Sequence, residues 1–259
     1  MHTVRFVNQW LKRKCSFMHQ ARAMSLSRTV GGLLRGGKLS LTHLGRSLVA
    51  DCYEKHRIKS VDRLLGNRHL HAERIEVYAA LAREVLSDTP TPVLVVDWAD
   101  GHEGRQWLLL RASVAVQGRA LTIYEEAHPK HALGSARVEG AFLRSLKSVL
   151  PSGCTPVVVT DAGFRGRWFG QVEANGWRWI GRVRGRVYCR RSPTGRWALA
   201  KTLHREATSR AKVFTGSVLY KFRPLACDLY LVKKYQRARG APRRRRGLGA
   251  LLFPGFFHR

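Results

Sequence analysis

Apolar residues recur at helical spacing between Leu41 and Leu86. Leu44, Leu48, Ile58, Val61, Leu64 and Leu65 are followed by Ile75, Val77, Leu81, Val85 and Leu86, so this part of the chain is predicted to be helical. Met1 to Met24 precedes it as one amphipathic helix. Gly31-Gly32 and Gly36-Gly37 predict an early break, and Gly66-Asn67 predicts another ahead of His69. Ser87-Asp88-Thr89-Pro90-Thr91-Pro92 then ends the pattern with turn formers and two prolines. A domain boundary is placed near residue 90, and residues 1–90 form a helical region.

Beyond it the period changes to that of strands. Pro92 to Asp97 is a short apolar run, Gln106 to Val116 a longer one, and Gly118-Arg119 a tight connection before Ala120 to Tyr124 runs back, which together predict an antiparallel meander. Ala136 to Leu150 carries Val138, Phe142, Leu146, Val149 and Leu150 on one stripe and is read as an amphipathic helix. A strand ending at Asp161, a helix from about Arg167 to Asn175 stopped by Gly176, and a strand from Trp177 to Val183 follow. The order is β-β-β-α-β-α-β, an α/β fold whose mixed sheet joins a meander to parallel crossovers and spans residues 91–185. Residues 186–234 hold short strands only (Val187 to Arg190, Trp197 to Leu203, Lys212 to Tyr220, Leu225 to Val232) and are expected to form a β-rich insertion. Residues 235–259 are expected to be a disordered basic tail, with Arg237, Arg239 and the run Arg243 to Arg246 ahead of an apolar end.

Composition narrows the partners. The 259 residues carry 47 Lys and Arg against 17 Asp and Glu, a net charge of +30 spread along the whole chain, which points to a polyanion, nucleic acid first. No apolar run approaches the roughly 20 residues of a spanning helix, so a membrane partner is not expected. Cys15, Cys52, Cys154, Cys189 and Cys227 are odd in number, far apart and free of any CxxC pair, which argues against a zinc module or a disulfide framework and for a reducing cytoplasm. No uninterrupted apolar segment follows the basic residues near the start, so a secretory signal is not expected.

In so basic a chain, a lone aspartate finishing an apolar strand stands out, and it happens twice, at Asp97 and at Asp161. If the two strands are neighbours, the carboxylates face each other, and repulsion and desolvation favour a divalent cation between them. Hard oxygen donors of this kind suit Mg²⁺ or Mn²⁺, and paired ions support phosphodiester cleavage and strand transfer. Taken singly, each aspartate also fits the ordinary role of capping the turn that follows it.

The stretches Val96-Asp97-Trp98-Ala99-Asp100, Val159-Thr160-Asp161-Ala162-Gly163-Phe164-Arg165 with Trp168-Phe169, and Asn175-Gly176-Trp177-Arg178-Trp179-Ile180-Gly181-Arg182-Val183-Arg184 resemble bacterial insertion-sequence transposases of the IS-four family. So does the helical segment from Glu54 to Asn67, and the likeness covers roughly residues 40 to 235. It implies an RNase H-like core with an Asp-Asp-Glu triad binding Mg²⁺, a helical DNA-binding region before it, and a β insertion ahead of the helix that carries the Glu. By that resemblance Asp97 is the first catalytic and metal-binding acid and Asp161 the second. No Asp or Glu occurs after Asp228, so the third acid is missing from its expected place. The resemblance therefore implies a truncated or frameshifted copy, impaired in cleavage. Glu103, Glu125, Glu126 and Asp100 are the conceivable substitutes, each in a predicted hairpin end.

Lys55, Arg57, Lys59 and Arg63 on a predicted helix, and Arg165, Arg167, Arg182 and Arg184 around the second aspartate, are the candidate DNA contacts; a solvated charged face is the plainer reading of the first four. Trp177 and Trp179 alternate with Arg178 and are expected in the core, and His69 and His71 at the surface. Double-stranded transposon-end DNA is the expected partner, with a homodimer or a heterodimer with full-length transposase, in the bacterial cytoplasm near the nucleoid. A non-enzymatic inhibitor that competes for DNA ends, an active nuclease with a rearranged metal site, and an unrelated basic nucleic-acid-binding protein remain the alternatives.

Overall fold

The computed structural model describes residues 2–87, 89–101, 106–235 and 246–253. Glu103, the arginines at 237, 239 and 243 to 245, and the apolar end from residue 254 lie outside these residues. The chain divides into two compact units, Met1–Glu84 and Val85–Arg259.

The first unit is helical: α1 His2–Lys14, α2 Gln20–Gly36, α3 Leu41–Ser47, α4 Glu54–Leu65 and α5 Arg68–Leu86, whose last two residues pass the division. The single helix expected over Met1 to Met24 is two, parted at Cys15–His19, where the His19 ring accepts the Ala21 N–H and starts α2. Gly31-Gly32 does not break α2. A Cβ at Gly31 would lie 2.3 Å from the Val4 side chain and one at Gly32 3.3 Å from the Leu44 carbonyl, so these glycines serve close helix packing. The break comes at Gly37, whose φ of 66° closes α2 with a left-handed cap bonded to Leu33. Leu11, Cys15, Met18, Ala23 and Ala80 form one buried cluster of the unit, and Leu44, Leu48 and Val61 another.

The second unit is α/β. Its elements are β1 Val93–Asp100, β2 Trp107–Val116, β3 Arg119–Pro129, α6 Ala136–Val149, β4 Val157–Thr160, α7 Gly166–Ala174, β5 Arg178–Arg182, β6 Tyr188–Arg190, β7 Ala198–Leu199, β8 Lys212–Leu219, β9 Leu225–Tyr235 and β10 Arg246–Phe253. They form one mixed sheet in the order β3-β2-β1-β4-β5-β10-β9-β8-β6-β7. β1 pairs antiparallel with β2 and parallel with β4, and β4 runs parallel to β5, as the meander followed by crossovers predicts.

Helices α6 and α7 cover the sheet face that carries Leu94, Val96, Leu110, Val158 and Trp179, all fully buried. Tyr124 meets Phe142 of α6 at 5.3 Å between ring centroids, and Trp179 meets Phe169 of α7 at 4.3 Å. Gly181 is glycine because a Cβ there would stand 2.4 Å from the Phe169 ring.

Two expectations change beyond β5. Residues 186–234 are not a separate unit, because β6 to β9 continue the same sheet through β10. Residues 235–259 are not irregular throughout, because β10 pairs antiparallel with β5 on one side and with β9 on the other. Both neighbours would otherwise leave a row of backbone donors and acceptors to be satisfied, and the apolar stretch Leu248 to Phe253 supplies the strand. The strand expected over Trp197 to Leu203 is only Ala198–Leu199, followed by a 3₁₀ segment at Ala200–Glu206.

Candidate functional site

The parallel register of β1 and β4 sets Val96 against Thr160, the last residue of β4, so Asp97 on β1 and Asp161, the first residue after β4, come to the same level of the sheet. This is the point where the chain order reverses, with β2 on one flank of β1 and β4 on the other, the usual place for a ligand crevice in an open α/β sheet. Asp97 does not end its strand: β1 runs on to Asp100, and Asp97 pairs with Arg111 of β2. The half-buried Asp97 carboxyl is held above its ordinary range, first by burial and then by the charge of Asp161, while Arg111 pulls the other way. Asp161 is exposed, and its Oδ1 accepts the Gly163 N–H at 2.8 Å, so it does stabilise its own turn while one carboxylate oxygen is left outside that bond.

Both aspartates line a cleft of about 1150 Å³. Its walls also carry Glu139, a residue the sequence reading passed over. Glu139 lies in the first turn of α6 and is 4% exposed; its Oε1 accepts the Trp98 indole N–H at 3.4 Å. Burial raises its pKa, opposed by the Trp98 bond and by Arg165. The signal was present: Glu139, Phe142, Leu146 and Val149 share a 3-4-3 spacing, which places an acid on the buried stripe of α6.

The expected substitutes for a third acid are otherwise engaged. Glu125 pairs with Arg111 at 2.9 Å, Glu126 accepts the Tyr124 hydroxyl and pairs with His128 at 2.8 Å, and Asp100 is exposed at the far end of β1. Asp228 accepts the Gly216 N–H at 3.1 Å where β8 departs from regular pairing. Among the described residues, no group of three His, Cys, Asp or Glu side chains stands close enough to hold a metal ion.

Cations surround the carboxylates. Arg165 and Arg167 at the start of α7, Arg184 and Arg186 after β5, and Lys221 and Arg223 in the β8–β9 turn all line the cleft. That turn is held by Tyr220, whose ring would meet a Cβ at Gly166 at 3.0 Å and whose hydroxyl is pushed up to about 12, mainly by burial. Arg182 is exposed on β5 and does not line the cleft.

The four α4 cations belong to the helical unit and are not alike. Lys55, Lys59 and Arg63 are exposed, whereas Arg57 is half-buried and donates from Nη1 to the Leu48 carbonyl at 3.0 Å. Arg57 therefore ties α4 to the end of α3, a structural task that its charge alone does not reveal. Trp177 and Trp179 are buried, and Trp179 donates to Glu173 at 2.9 Å. His71 is exposed and bonds the Leu65 carbonyl. All five cysteines are free. Among the described residues, no helix is long and apolar enough to cross a membrane.

No protein-family model matches the chain, and comparison with curated proteins and with solved structures returns no match either.

Proposed function

We propose that the chain is a DNA-transposition protein of the IS-four type, in which the second unit holds an RNase H-like core and the helical unit is a DNA-binding region. The observation that carries the reading is that Asp97 on β1 and Asp161 just past the end of β4 line one cleft, rimmed by arginines, at the switch point of the sheet. The β-β-β-α-β-α-β order with a β-strand extension after it supports the same reading, as does a net charge of +30. The substrate is double-stranded DNA at transposon ends, the partner a second copy or another transposase chain, and the setting the bacterial nucleoid.

The donor set fits a hard divalent cation. Two carboxylates line the same cleft, one of them half-buried and already disfavoured as an anion by burial and by the other. Mg²⁺ is commonly held by one or two carboxylates together with substrate phosphates, so Asp97 and Asp161 are the residues that would hold it. Such an ion supplies Lewis-acid stabilisation of the charge on a phosphoryl group in transfer. Arg165, Arg167 and Arg184 position the phosphate backbone over the pair without reading sequence. Trp98 and Glu139, joined by the indole N–H bond, form part of the cleft wall toward α6.

With two acids in place and no third beside them among the described residues, the 259-residue chain binds DNA and cuts it poorly. The test is a Mg²⁺-dependent cleavage and binding assay on terminal inverted-repeat DNA, run with wild type, Asp97→Asn and Asp161→Asn. Tight binding by all three with at most trace cutting, confined to wild type, is the expected result. Efficient strand transfer by the wild type would refute impairment, and failure to bind duplex DNA would refute the whole reading.

A further inference from the structure

The carboxylate pair shares its row of the sheet with a fixed cation. Asp97 is the Cα partner of Arg111 on β2, and Arg111 is the Cα partner of Glu125 on β3, so the three side chains project from one face. Arg111 Nε donates to Glu125 Oε2 at 2.9 Å, with the two side chains 32% and 34% exposed. The guanidinium is thus anchored toward β3, on the side away from Asp97, while its charge still acts on the Asp97 carboxyl. Neither Arg111 nor Glu125 lines the cleft, unlike the arginines that rim it. Its position suits it to act on the carboxylates instead of on a phosphate.

We propose that Arg111 is a positioning residue that keeps the Asp97–Asp161 pair a weak binder of divalent cations until a DNA phosphate joins the site, so that cation and DNA bind cooperatively. The inference rests on the reading of these aspartates as the metal-holding pair. A positive charge one strand away opposes a dication electrostatically, and an incoming phosphate restores the lost negative charge. Coupling of this kind is reciprocal: DNA tightens the cation by the same factor as the cation tightens DNA. Glu125 keeps the guanidinium from swinging onto Asp97 and occupying the place of the cation.

Titration of Mn²⁺ into the full chain, followed by electron paramagnetic resonance with and without a double-stranded oligonucleotide, tests this. An Asp97→Asn/Asp161→Asn double variant with the same duplex subtracts the ions that DNA itself collects. Wild type is expected to bind Mn²⁺ weakly alone and about tenfold or more tightly with DNA, while Arg111→Gln binds about tenfold more tightly than wild type both with and without DNA. Arg111→Lys, which keeps the charge, should behave as wild type, and Glu125→Gln should bind Mn²⁺ more weakly. Unchanged affinity in a folded Arg111→Gln, or the same shift in Arg111→Lys, overturns the proposal. If the double variant binds Mn²⁺ as well as wild type does, the reading of the carboxylate pair fails instead, whatever Arg111 does.

Discussion

Glu139 and Arg57 are charged side chains whose work is set by burial. Burial holds the Glu139 carboxyl above its ordinary value of 4.5, so the folded chain binds that proton more tightly than the unfolded one. The resulting stabilisation is present below about pH 4.5 and is lost as pH rises through the folded value. Glu139→Gln keeps an acceptor for Trp98 and removes this pH dependence. Its urea midpoint should match wild type near pH 4 and exceed it near pH 7. Arg57→Ala should cost the helical unit about 1–2 kcal/mol through the lost bond to Leu48, read from the same measurement. Lys59→Ala, at an exposed position, should stay within about 0.5 kcal/mol. At this scale Asp97 and Asp161 drew attention because an acid on an apolar strand is conspicuous in a basic chain, although β1 runs on past Asp97 to Asp100. The sequence did not reveal the bond from Arg57 to Leu48, because only coordinates tell a guanidinium on a carbonyl from one in water.

Elements were legible where periodicity was strong. The amphipathic stripe of α6, and the apolar runs and tight connection of β1 to β3, led to the right element types, and the Gly66-Asn67 break falls between α4 and α5 as expected. Glycines misled where they serve close packing. Gly31-Gly32 reads as a helix breaker, yet α2 continues through it because α1 lies against that face. The same physics gives a prediction at two other sites. A Cβ at Gly45 would stand 2.5 Å from the Ile58 backbone, and one at Gly181 2.4 Å from Phe169, so each change to Ala should destabilise by about 1–3 kcal/mol in chemical denaturation. β10 was missed because the arginines before it set the character of the segment, while the unpaired edges of β5 and β9 that call for a strand are visible only once the sheet is assembled.

On the scale of the whole molecule, charge and topology meet at one place. The basic excess was plain from composition, but the placing of a few of its cations around two carboxylates follows from the sheet order, which brings the start of α7, the loop after β5 and the β8–β9 turn to the same cleft. Duplex affinity should therefore fall steeply with salt. Arg184→Ala should reduce the magnitude of the log–log slope by about 0.9, whereas Arg182→Ala, outside the cleft, should change it less. The central claim is that residues 97 and 161 jointly hold a hard dication when DNA is bound, and anomalous diffraction from crystals of the DNA complex grown with Mn²⁺ tests it most directly. An anomalous peak is expected between the two carboxylates and should be absent in Asp161→Asn. A wild-type map with no peak there, or with ordered Mn²⁺ only elsewhere, would contradict it.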